Sequence, residues 1–103
     1  MRILLIDDVR TFTVVDAIAR NYNEGIRQLE RNGPWDEVYL DHDLGDASFC
    51  EERSRYMTGY DVMCWLEANP GHLPKEIILV TDNPVGRTRM QQVIDKLYKG
   101  EDR

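Results

Sequence analysis

The chain has 103 residues, 42% of them hydrophobic and 31% charged, with a formal net charge of −6. That length supports one domain, residues 1–103, around a single modest core, and the acidic balance argues against an extended nucleic-acid duplex as partner, which needs a basic face. Cys50 and Cys64 are too few for a disulfide framework, and no apolar run reaches the ~18 residues of a membrane span or the ~7 of a signal-peptide core, so the expected protein is cytoplasmic with no membrane partner.

The first apolar run, Ile3–Ile6, is short and ends in Asp7-Asp8, as suits a strand buried on both faces. Residues 14–20 read as a second strand. The competing reading puts Phe12, Val15, Ile18 and Tyr22 on a backward extension of the following helix. A strand there leaves a short interval after Asp8, whereas a parallel crossover normally takes about a dozen residues or more. Asn21 followed by Glu24 is a capping-box signal, with Tyr22, Ile26 and Leu29 on one helical stripe and Gly33-Pro34 as the stop. Val38–Leu40 forms the next strand and ends in Asp41. Residues 45–58 lack periodicity and read as one long loop. A second helix starts near Gly59, buries Val62, Met63, Trp65 and Leu66, and ends at Asn69-Pro70-Gly71. Glu76–Val80 is a further strand. The last helix opens with Asn83 as cap and Pro84 at its first position, and carries Met90, Val93, Ile94, Leu97 and Tyr98 on one face. Strand and helix alternate, which predicts an α/β domain with a mainly parallel four-stranded sheet.

The carboxylates end the strands. In an open α/β sheet the ligand crevice lies at the carboxyl ends of the strands, so Asp7, Asp8 and Asp41 are expected to converge. Two carboxylates ~4 Å apart repel by about 4 kcal/mol at an effective dielectric of ~20. A raised pKa on one group or a divalent cation relieves this, and hard oxygen ligands point to Mg²⁺, with Mn²⁺ or Ca²⁺ as alternatives. The competing reading of "DHDLGD" is a turn in which aspartates bond nearby backbone N–H groups. A calcium loop from Asp41, Asp43 and Glu52 is disfavoured because Asp46 stands where that loop needs glycine. His42, next to Asp41 on a strand end, points to the opposite face of the sheet; with Asp43 it is the nearest candidate for acid–base work beside Asp41, the alternative being a histidine bonded to a loop carbonyl. At the last helix, Thr81 ends the strand, Asn83 caps, and Gly86 and Arg87 lie in the first turn, where free N–H groups and the helix dipole attract anions. A metal-bound phosphoryl group would satisfy both charges at one sheet edge.

In order, "LIDD", "LDHDLGD", "TGYDVMCWLE" and "ILVTDNPVGRTRM" resemble response-regulator receiver domains, and more closely the cyclic-phosphate-processing receiver-like family, over nearly the whole chain. The resemblance implies a small flavodoxin-like three-layer sandwich, truncated relative to true receivers. It implies Mg²⁺ on Asp7 and Asp8, a phosphoryl acceptor or metal ligand at Asp41, a backbone carbonyl ligand from Asp43, and Thr81 against phosphoryl oxygens. The implied partner is a phosphorylated small molecule or the phosphate end of an RNA or nucleotide. The sequence departs from receivers in three places: no lysine ends a fifth strand, the first helix is missing, and Val80-Thr81 stands where relatives often carry histidine-serine. Two other readings compete: a phosphorylation switch at Asp41, and a protein-interaction module using the acidic face and the 45–58 loop.

Overall fold

The computed structural model describes residues 1–99; the polar tail from Gly100 onward lies outside the described residues. The elements run β1 (Ile3–Ile6), β2 (Ala17–Ala19), α1 (Tyr22–Arg31), β3 (Glu37–Leu40), β4 (Phe49–Cys50), β5 (Arg55–Tyr56), α2 (Gly59–Ala68), β6 (Glu76–Leu79) and α3 (Pro84–Tyr98). Four strands form one sheet in the order β2-β1-β3-β6, and every pairing in it is parallel. This is the small receiver-like α/β fold expected from the alternation of strand and helix.

Register decides which side chains meet. Leu4 lies level with Ala17, Val38 and Ile77, and Ile6 with Ala19, Leu40 and Leu79. Side chains alternate along a strand, so these rows share one face. They form a single cluster with Leu29 of α1, Val62, Met63 and Leu66 of α2, and Met90 of α3. Leu4, Ile6, Val38 and Leu40 are fully buried, and each such side chain stabilises the fold by ~1.5–3 kcal/mol relative to exposure. The opposite face carries Leu5, Ile18, Tyr39 and Ile78. There the covering layer is the irregular β1–β2 connection, from which Phe12 packs edge-on to Tyr39 at 5.4 Å between ring centroids.

Two expectations need correction. The second strand is only Ala17–Ala19, and Val14, placed within it from sequence, is 72% exposed. The crossover from β1 therefore runs through residues 7–16 without a helix. Residues 45–58 are not one loop: a 3-10 turn at Asp46–Ser48 leads into the antiparallel β4–β5 hairpin. Buried Ser48 anchors this segment, donating to the Leu44 carbonyl at 2.8 Å and accepting from the Tyr22 N–H at 2.9 Å.

The helix starts follow the caps. The Asn21 side chain accepts from the Glu24 N–H, while the Glu24 carboxylate reaches past the cap to the Arg20 N–H. At α2, the buried Asp61 carboxylate accepts from the Thr58 N–H at 2.8 Å and from both terminal nitrogens of Arg55 at 2.9 and 2.7 Å. Burial alone raises the pKa of Asp61; the Arg55 fork and the Thr58 N–H outweigh it and hold the group below its ordinary value. Asp61 therefore contributes stability above the ordinary carboxylate range, and loses it as pH falls through the lowered pKa. Asp61→Asn is expected to cost about 2 kcal/mol at neutral pH, the scale of hydrogen bonds to a charged group. Urea unfolding against pH checks this: the gap between wild type and variant should close in acid.

Candidate functional site

The sheet ladder continues one step past β1 and β3 and so sets the site's floor. The Asp7 N–H donates to the Ala19 carbonyl and the Asp41 N–H to the Ile6 carbonyl, both at 3.0 Å. Asp7 and Asp41 are thereby held level at the carboxyl end of the two central strands, and both are buried. With half-buried Asp8 beside them, one carboxylate oxygen from each of Asp7, Asp8 and Asp41 lies within 4.8 Å of the others.

Each buried carboxylate uses its two oxygens differently. Asp7 Oδ1 accepts from the Val9 and Arg10 N–H groups, both at 2.9 Å, closing a tight turn after β1. Asp41 Oδ1 accepts from the His42 N–H at 2.7 Å. The Oδ2 atoms face a guanidinium: Arg10 Nη1 lies 2.9 Å from Asp7 Oδ2 and 3.4 Å from Asp41 Oδ2, and Arg10 Nη2 lies 3.1 Å from Asp82 Oδ2. Arg20 fixes this loop from behind, donating to the Asp7 and Arg10 carbonyls and to Thr11 Oγ1. The turn reading of the acidic segment is seen at Asp41, which bonds the next N–H, and the remaining oxygens of Asp7 and Asp41 face one guanidinium.

The two carboxylates differ electrostatically. Burial raises the pKa of Asp7, but the Arg10 and Val9 N–H groups and the Arg10 guanidinium overcome it, and the net shift is downward. For Asp41, burial dominates, the charge of Asp7 adds to it, and the pKa is raised despite bonds from His42 and Thr81. A proton entering the cluster thus goes to Asp41 before Asp7.

His42 turns to the helix-covered face, where a Cβ added at Gly86 would stand 2.4 Å from the ring. Its Nδ1 is 3.0 Å from Asp43 Oδ1 and 3.4 Å from Asn83 Nδ2, so His42, Asp43, Asn83 and Gly86 form a second group beside the carboxylates. Thr81 is buried, bonded to Asp41, and accepts from the Asn83 N–H at 3.1 Å. The first turn of α3 is largely satisfied from within. Asn83 takes the Gly86 N–H on its side chain and the Arg87 N–H on its carbonyl, which leaves the Val85 N–H without a partner among the described residues. Arg87 folds back onto the Thr81 and Leu79 carbonyls at 3.1 and 3.4 Å, and the Arg89 guanidinium stacks on Tyr60. Lys75 pairs with Asp36 at the opposite end of the sheet. An open cleft of about 250 Å³ adjoins the Asp43–Asp46 segment and is lined on its other side by Tyr56, Met57 and Thr58.

The residue not anticipated from sequence is Arg10. Its spacing of three from Asp7 was the available signal; its third partner, Asp82, is 72 positions away.

Comparison with known families decides the affiliation: the cyclic-phosphate processing Receiver domain matches residues 2–96. The chain belongs to this family. No curated protein and no solved structure matches it significantly. In this cyclic-phosphate processing receiver domain the donor set at the strand ends is chemically suited to a hard cation: three carboxylate oxygens, two of them on buried side chains.

Proposed function

We propose that this domain binds a phosphorylated ligand, a nucleotide or cyclic phosphate, through Mg²⁺ held by Asp7, Asp8 and Asp41. The observation carrying the proposal is the approach of these three carboxylates to within 4.8 Å at the carboxyl end of the central strands. Bound there, the ion supplies charge neutralisation and polarises a phosphoryl oxygen. The Thr81 hydroxyl, which donates to Asp41, would be redirected to that oxygen. The Val85 N–H at the start of α3 offers a further donor with the helix dipole behind it. The carbonyl of Asp43 completes the ligand set, following the receiver pattern. His42 and Asp43, paired at 3.0 Å, are the acid–base groups nearest to Asp41 in sequence if turnover follows binding.

Phosphorus NMR of a ribonucleoside cyclic monophosphate tests the reading. With wild-type protein the ligand signal should broaden or shift only when Mg²⁺ is present, and Asp41→Asn should abolish the effect. Conversion to a monoester signal would add hydrolysis to binding. A ligand signal indifferent to protein and Mg²⁺ together would defeat the proposal.

One observation favours the protein-interaction reading instead. Phe49 and Tyr56 on the β4–β5 hairpin are about half exposed and stack edge-on at 5.0 Å, an apolar patch beside the cleft. Under that reading, charge reversal at Glu51 and Glu52 removes function and Asp41→Asn does not.

A further inference from the structure

We infer that Arg10 is an exchangeable counter-cation: it stands where the metal would be held, and on release becomes the guanidinium that meets the phosphoryl group. This role rests on the metal-and-phosphate reading proposed above.

Three observations converge. First, the oxygens that Asp7 and Asp41 leave free of backbone bonds are the ones nearest Arg10 Nη1, at 2.9 and 3.4 Å. Arg10 therefore competes with an ion for these atoms. Second, Arg10 has somewhere to go. Its Nη2 already bonds Asp82, whose side chain is 97% exposed and sits one residue after Thr81. Withdrawal from Asp7 and Asp41 thus leaves the guanidinium tethered at the site's mouth, on the side of Thr81 and α3. Third, the other cations near the site among the described residues are engaged or turned away, Arg20 by the Asp7 and Arg10 carbonyls. Arg87 is engaged by carbonyls, Arg89 lies on Tyr60, and Lys75 is at the far end of the sheet. The Arg10 guanidinium is a planar fork suited to bidentate contact with phosphate oxygens.

A single positive charge also neutralises the cluster incompletely. Asp7, Asp41 and Asp82 share it, and Asp8 has no ion pair among the described residues. Exchange for a divalent ion, with Arg10 retained nearby, improves the balance, and the phosphate anion then restores the need for the guanidinium. Metal first and anion second is the order this predicts.

The test uses calorimetric titration of the full chain with MgCl₂, then with inorganic phosphate at saturating Mg²⁺, on wild type and Arg10→Gln. Loss of a competing charge-assisted bond should tighten Mg²⁺ roughly tenfold, and loss of the fork should weaken phosphate by a similar factor. A merely structural Arg10 would move both affinities in the same direction or neither, and either result overturns the inference. Should Arg10→Gln not fold, Arg10→Lys serves: lysine keeps the charge but cannot bridge three carboxylates. It should bind Mg²⁺ a few-fold more tightly with phosphate kept within about twofold of wild type; unchanged or weaker Mg²⁺ binding overturns the role. If neither wild type nor variant binds Mg²⁺, the metal reading itself fails and this role with it; if both bind it equally, only the role of Arg10 is lost.

Discussion

Gly59→Ala is expected to destabilise the domain by roughly 3 kcal/mol, the upper end for overpacking a close-packed site, and to lower Tm by roughly 12 °C or more in a chain of this size. A Cβ at this position would lie 2.0 Å from the Asp41 carbonyl oxygen, 3.0 Å from its carbonyl carbon and 2.8 Å from Met90 Cε. The methionine can turn away, but the carbonyl cannot, because the Asp41 backbone is fixed by its bond to β1 and the Gly59 N–H donates to the adjacent His42 carbonyl at 2.7 Å. The first residue of α2 is therefore pressed against the chain that carries the site. Relief requires either the helix to back away from β3 or Asp41 to move relative to Asp7. Thermal unfolding of the variant measures the first cost, and its Mg²⁺ affinity the second. An alanine variant that melts with wild type would show that the close approach is not present in solution.

Mg²⁺ should stabilise the folded domain by ~2.7 kcal/mol at a hundred times its dissociation constant, which corresponds to a rise in Tm of about 10 °C or more. Asp41→Asn should remove this dependence while making the metal-free protein more stable at neutral pH. The sign follows from the raised pKa of Asp41, caused first by burial and reinforced by the charge of Asp7. A carboxyl whose folded pKa exceeds its unfolded one contributes stability below the unfolded pKa, and loses that contribution as pH rises through the folded value. At neutral pH the ionised group is a net cost that asparagine does not carry. Melting curves with and without Mg²⁺ at neutral pH check both halves. A variant that is less stable than wild type without metal, or that still responds to Mg²⁺, contradicts them.

Much of the architecture was legible because it rests on local patterns. The apolar runs at Ile3–Ile6 and Ile77–Val80 are short and bounded by polar residues, and the Asn21 and Asn83 caps mark their helices to the residue. The convergence of Asp7, Asp8 and Asp41 was legible for a topological reason: parallel strands place their ends on one edge whatever the details between them. What escaped was set by distant contacts. The β4–β5 hairpin has strands of two residues each, too short for any alternation to register, and depends on Ser48 reaching across to α1. Val14 looked like strand because it is β-branched, yet β2 is confined to the three residues that pair with β1. Arg10 was overlooked because nothing near it in sequence foretells Asp41 or Asp82, and Arg87 was favoured over it although its guanidinium is engaged by the ends of β6.

The division of labour on Asp7 has an evolutionary corollary. One oxygen shapes the turn after β1, and an amide oxygen can accept the same Val9 and Arg10 N–H bonds. The other carries the negative charge that Arg10 answers. A drift from aspartate to asparagine would keep the turn but forfeit the stability that the lowered pKa of Asp7 contributes at neutral pH, so the charge at this position cannot drift away without a cost to the fold.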